Sequence, residues 1–152
     1  IMDLVLKRQK PSVVFDSFDR NKAYVIDLLS GLVKEKFYII LIDKDCKEIT
    51  KIEFTSFNEL AVEVDTSSLA RAIAVNTPRH ALICHNHTSS SLIPSRADDI
   101  ATAKIYMLCK IHGVNLIDHI IVSGKHAYGY FIDGRLKNIK DKVDSDDFSK
   151  KI

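Results

Sequence analysis

Residues 37 to 42, Phe37-Tyr38-Ile39-Ile40-Leu41-Ile42, are apolar on both alternating faces, and this run limits the possible folds more than any other feature. A strand with one wet face alternates apolar and polar residues, whereas one that is apolar throughout must be covered on both sides. Such a strand lies centrally, between two layers. Asp43 to Lys47 then reads as a turn into a second strand, Glu48 to Phe57, which makes the pair a hairpin. Ala81 to Cys84 and Leu116 to Val122 are further buried strands, and Tyr128 to Ile132 reads as a last strand after a turn at Gly124-Lys125-His126.

Helical spacing separates these strands. A first helix is expected near Arg20 to Ser30, and a second from Ser67 to Asn76, capped by Asp65 or Thr66. A long third helix opens at Ser95, carries Ile100, Ala103, Met107 and Ile111, and stops where Gly113 can adopt a left-handed conformation. Strands alternating with helices predict an α/β fold with helices layered on a mixed sheet, α/β/α. At 152 residues the chain suits one domain. We divide it into a lead-in at 1–16, a domain at 17–134 and a charged tail at 135–152, the tail being solvated, frayed or at most a loosely docked helix. The isoleucine before Met2 suggests a trimmed fragment.

Composition narrows the function only a little. A net charge of +2 gives no strong pull toward phosphate backbones or membranes. Nucleic acid is therefore a possible partner that charge does not support. No apolar stretch approaches the length of a membrane span, and the start lacks the features of a secretory signal. Cys46, Cys84 and Cys109 are odd in number and lack short paired spacings, which fits a reducing, cytoplasmic setting better than a disulfide framework.

The informative chemistry is at His85-Asn86-His87. Histidines two apart at a strand end point the same way, so both rings can reach one cation at roughly 2.0 Å. Alone, the pattern is weak. Downstream, Pro94-Ser95-Arg96-Ala97-Asp98 places Ser95 at a helix cap and Asp98 on the first turn, facing the incoming loop. Asp98 can be a third ligand, or the pair can simply be a capping box. Two imidazoles and a carboxylate leave a fourth tetrahedral position to water, whose pKa zinc lowers to about 7. Asp99 points about 100° away around the helix. His119 reads as a hydrogen-bonded structural histidine, with Asp118 facing the opposite side, and Cys84 alternates away from the ligands. His80, His112 and His126 have no partners at ligand spacing.

Taken together, His85-x-His87, ten residues and Asp98, with Ser95 three before it, resembles the signature of the JAB/JAMM (MPN-like) metalloproteases. The closer resemblance is to the RadC family, whose H-N-H-P-S-G and P-S-x-x-D runs match His85-Asn86-His87, Ser89, Pro94-Ser95 and Asp98. Glu35-Lys36-Phe37 is similar to the family's E-x-F, and Leu116-Ile117-Asp118-His119-Ile120-Ile121 to its L-D-H-I-I strand. Thr88 and Ser90 stand where the family has proline and glycine, which predicts a less rigid or differently turned loop.

The resemblance implies a cytidine deaminase-like fold and a Zn2+ ion held by His85, His87 and Asp98. It also implies Glu35 as general base and acid, and Ser95 as the group that polarises a substrate carbonyl. From its local sequence, Glu35 would otherwise be an ordinary exposed carboxylate. The implied activity is hydrolysis of a peptide or isopeptide bond. The competing readings are a non-catalytic module that binds protein or DNA and, less favoured, a metal-dependent nuclease. The family's usual helix-hairpin-helix segment cannot be read in this chain, and the H-x-E with P-C-x-x-C of zinc deaminases is absent from its sequence.

Overall fold

The computed structural model describes residues 13–54, 56–58, 61–62 and 64–146. In chain order the elements are α1 (Phe18–Leu29), β1 (Phe37–Ile42), β2 (Glu48–Phe54), β3 (Ser56–Asn58), β4 (Ala61–Val62), α2 (Thr66–Asn76), β5 (His80–Asn86), α3 (Arg96–Ile111), β6 (Asn115–Ser123), β7 (His126–Gly129) and α4 (Arg135–Ser145). Five strands form one sheet in the order β2-β1-β5-β6-β7, while β3 and β4 pair separately. Strands β5 and β6 are parallel and the other neighbours in the large sheet are antiparallel. A parallel step needs a crossover, and α3 supplies it.

The two faces of β1 are covered as its sequence requires. Phe37, Ile39 and Leu41 pack with Leu69 of α2, Ile105 of α3 and Leu136 of α4, whereas Ile40 and Ile42 pack with Val25 and Leu29 of α1. This is the expected α/β/α arrangement. Removing a side chain of this size from water contributes roughly 1.5–3 kcal/mol. Close packing continues at Gly129, where a Cβ would sit 2.3 Å from the Phe18 ring, so a side chain there would force that ring of α1 to move. At the hairpin, Asp43 Oδ1 accepts from the amides of Asp45 and Lys47 at 2.8 and 3.0 Å and closes the turn. Gly113 stands at φ +70° just past α3, as its position predicted.

Three segments differ from the sequence expectation. The extended run from Glu48 is broken, with β2 ending at Phe54 and β3 beginning at Ser56. The last strand lies earlier than expected, at His126–Gly129, because Asp118 Oδ1 accepts from the amide of Phe131 at 2.9 Å and draws the chain off the ladder. Phe131 and Ile132 are left exposed. The charged tail contains α4, docked by a fully buried Leu136 and by Ile139 against the core. At the other end, Phe15 is buried and its amide donates to the Cys46 carbonyl at 2.7 Å, so the described end of the lead-in is part of the packed unit.

Candidate metal centre

Strand β5 presents its side chains alternately. Ala81 and Ile83 face α2 and α3, so His85 emerges on that side, while Leu82 and Cys84 face α1. His87 lies just past the strand, where its amide donates to the Val122 carbonyl at 2.8 Å. Opposite them α3 begins with a reciprocal capping box. Ser95 Oγ accepts from the Asp98 amide at 3.0 Å and Asp98 Oδ2 accepts from the Ser95 amide at 2.9 Å. The cap points the carboxylate at the imidazoles. His85 Nε2 lies 3.3 Å from Asp98 Oδ1, and His87 Nε2 lies 3.2 Å from Asp98 Oδ2. One ligand atom from each residue falls within 4.8 Å of the others. The local and the chemical readings of Ser95-x-x-Asp98 are therefore compatible, because the same cap aims Asp98.

The donors and acceptors of this cluster suit a cation. His87 Nδ1 lies 2.9 Å from the Ser91 carbonyl, which can only accept, so that nitrogen carries a proton and Nε2 is the atom turned toward Asp98, 3.2 Å from its Oδ2. His85 Nε2 is buried and makes no aligned hydrogen bond despite its nearness to Asp98. Burial pushes the Asp98 carboxyl up, but the two imidazoles beside it outweigh burial and hold the group well below the usual carboxylate range. His87 is raised first by its hydrogen bond to Asp98, against burial, and then by the Ser91 carbonyl and the charges of Asp98 and Glu35. In place of the proton that joins His87 Nε2 to Asp98, a metal ion could take one ligand atom from each of the three residues.

Further buried contacts hold this set. The His85 ring stacks on Phe37 at 5.2 Å between centroids, and its Nδ1 lies 2.8 Å from Nε2 of His119. His119 in turn contacts Thr102 Oγ1 through Nδ1 at 2.7 Å and stacks on Tyr130 at 4.4 Å with the planes 11° apart. Tyr130 donates to Asp99, which also takes two hydrogen bonds from Arg135 of α4. Asp99 does point away from the cluster, as its register predicted, and it ties α3 to α4. The contact of His119 with His85 was not readable in the sequence, because it depends on β6 lying beside β5.

A family model described as the RadC-like JAB domain matches residues 15–135. The chain belongs to that family. This RadC-like JAB domain is similar to a UPF0758 protein of Coprothermobacter proteolyticus, at 28% identity over 74% of the chain and 48% of that protein. It is also similar to one of Photorhabdus laumondii, at 33% identity over 67% of the chain and 44% of that protein. The chain thus spans about half the length of these curated relatives.

In this JAB domain Glu35 is exposed and lies just before β1. Asn86, between the two histidines, grips the backbone on both sides of it. Its Oδ1 accepts from the Lys36 amide at 2.6 Å and its Nδ2 donates to the Lys34 carbonyl at 3.0 Å. The strand that carries the imidazoles therefore also places Glu35. The loop after His87, although it lacks the family's proline and glycine, is fastened at two points, by the His87 ring on the Ser91 carbonyl and by Ser123 Oγ on the Ser89 carbonyl at 2.6 Å. Among the described residues no helix is long and apolar enough to cross a membrane, and Cys46, Cys84 and Cys109 are free thiols.

Proposed function

We propose that this RadC-like JAB domain is a zinc-dependent hydrolase of peptide or isopeptide bonds, with His85, His87 and Asp98 as metal ligands. The supporting observation is the convergence of two imidazoles and a carboxylate, with ligand atoms within 4.8 Å of one another, near a glutamate whose two neighbours are clamped by Asn86. A bound zinc ion supplies Lewis acidity to the scissile carbonyl and to water. Glu35 is exposed to solvent and accepts a proton from the attacking water, then returns it to the departing amine. Ser95 Oγ accepts the Asp98 amide in the capping box and keeps its own proton for the carbonyl oxygen, where negative charge builds up.

A panel of peptide and isopeptide substrates tests this reading, with zinc-loaded wild type compared against Glu35→Gln. General acid–base catalysis contributes typically about 10²–10⁴-fold, so the variant should lose at least about 100-fold in turnover while its zinc content, measured by elemental analysis, is unchanged. Undiminished hydrolysis by Glu35→Gln would overturn the role given to Glu35.

A further inference from the structure

We infer that His119 and Thr102 are positioning residues that fix the His85 ring in the tautomer whose Nε2 faces the metal. This deepens the proposed function and rests on its assignment of His85 as a ligand. A buried path of hydrogen bonds fixes each proton in turn. The Asp98 carbonyl oxygen has no proton, so at 2.6 Å the Thr102 hydroxyl must donate to it. Having used its single proton, Thr102 Oγ1 can only accept, and the partner 2.7 Å away is Nδ1 of His119. His119 therefore carries its proton on Nδ1.

A second proton on this ring would bury a charge in a residue that is 0% exposed and whose ring nitrogens face only His85 and Thr102 among the described residues, the adjoining Asp118 carboxylate being taken by the His119 backbone amide. Its Nε2 is consequently bare and must accept from His85 Nδ1, 2.8 Å away. The proton of His85 is thereby held on the inner nitrogen, and Nε2 keeps its lone pair for the cation. The path is closed, since it starts on the side chain of one ligand and ends on the backbone of another, at the first turn of α3. Tyr130, stacked on His119, keeps the ring from tilting out of line. Outer contacts of this kind typically change metal affinity by roughly 10- to 100-fold.

Long-range proton–nitrogen NMR of the imidazoles in zinc-loaded wild-type protein reads the tautomer directly. A proton on His119 Nδ1 alone is expected, and a proton on its Nε2 overturns the inference whether or not any variant folds. Zinc affinity by chelator competition adds a second readout. Thr102→Val and His119→Phe should weaken binding roughly 10- to 100-fold, whereas His119→Gln, which restores an acceptor near the Nε2 position, should recover most of it. Wild-type affinity in both Thr102→Val and His119→Phe overturns the inference. Wild-type protein that takes up no zinc would instead overturn the ligand assignment beneath it, and is recognised by failing before any variant is compared.

Discussion

The two faces of the central sheet are built from the same strands and serve opposite ends. On the α1 side Leu82, Cys84, Ile120 and Val122 pack against Val25 and Leu29. On the α3 side, one residue out of step along the same strands, His85 and His119 meet Thr102 and Asp98 in a buried hydrogen-bonded set. A strand repeats every two residues, so polar groups can be set into the apolar face toward α3 without altering the spacing of the face toward α1. Mutations on the two faces should accordingly separate stability from metal binding.

The largest effect is expected from Asp98→Ala. It removes one of the three electron-pair donors and half of the capping box, and elemental analysis should find zinc lost; full stoichiometry in the variant would remove Asp98 from the ligand set. Leu82→Ala should do the reverse. It should cost about 2–5 kcal/mol in denaturant unfolding, as large-to-small core changes do, with zinc stoichiometry retained in the folded fraction; zinc loss without destabilisation would show that the faces are coupled.

Asp118 sharpens the contrast because it puts a carboxyl among the groups near α1. Burial raises it to about 6, against the hydrogen bonds from the amides of Phe131 and His119. The folded protein then holds this proton to a higher pH than the unfolded chain does, so stability falls as pH rises from about 4 through 6. Asp118→Asn keeps an acceptor oxygen and removes the titration. Unfolding free energies across that window should lose their downward slope, a difference on the order of 3 kcal/mol at neutral pH. An unchanged slope would assign the pH dependence to other groups.

What could be read from the sequence was what depends on neighbours along the chain. The two-residue step from His85 to His87 and the three-residue step from Ser95 to Asp98 are local geometry, and both bring their groups to the cluster. The doubly apolar Phe37–Ile42 likewise foretold a strand covered on both sides. His119 was legible only as a buried histidine, since its contacts with His85 and Thr102 join elements 34 and 17 residues apart. The register of Tyr128 to Ile132 failed for a similar reason, because the carboxyl of Asp118 takes an amide that the local pattern assigns to the ladder. In α4, Leu136, Ile139 and Val143 are too few to stand out among charges, and their partner surface is provided by α3.

The docking of α4 carries a practical consequence for any shortened version of this domain. Arg135 is the last residue of the family match and the first of the helix, yet its guanidinium braces Asp99, which anchors Tyr130, the slab on which His119 lies. Ending the polypeptide at Gly134 would remove that brace and, through three successive contacts, loosen an imidazole in the heart of the molecule. A segment that reads as solvated charge is thus a remote strut of the centre it never touches.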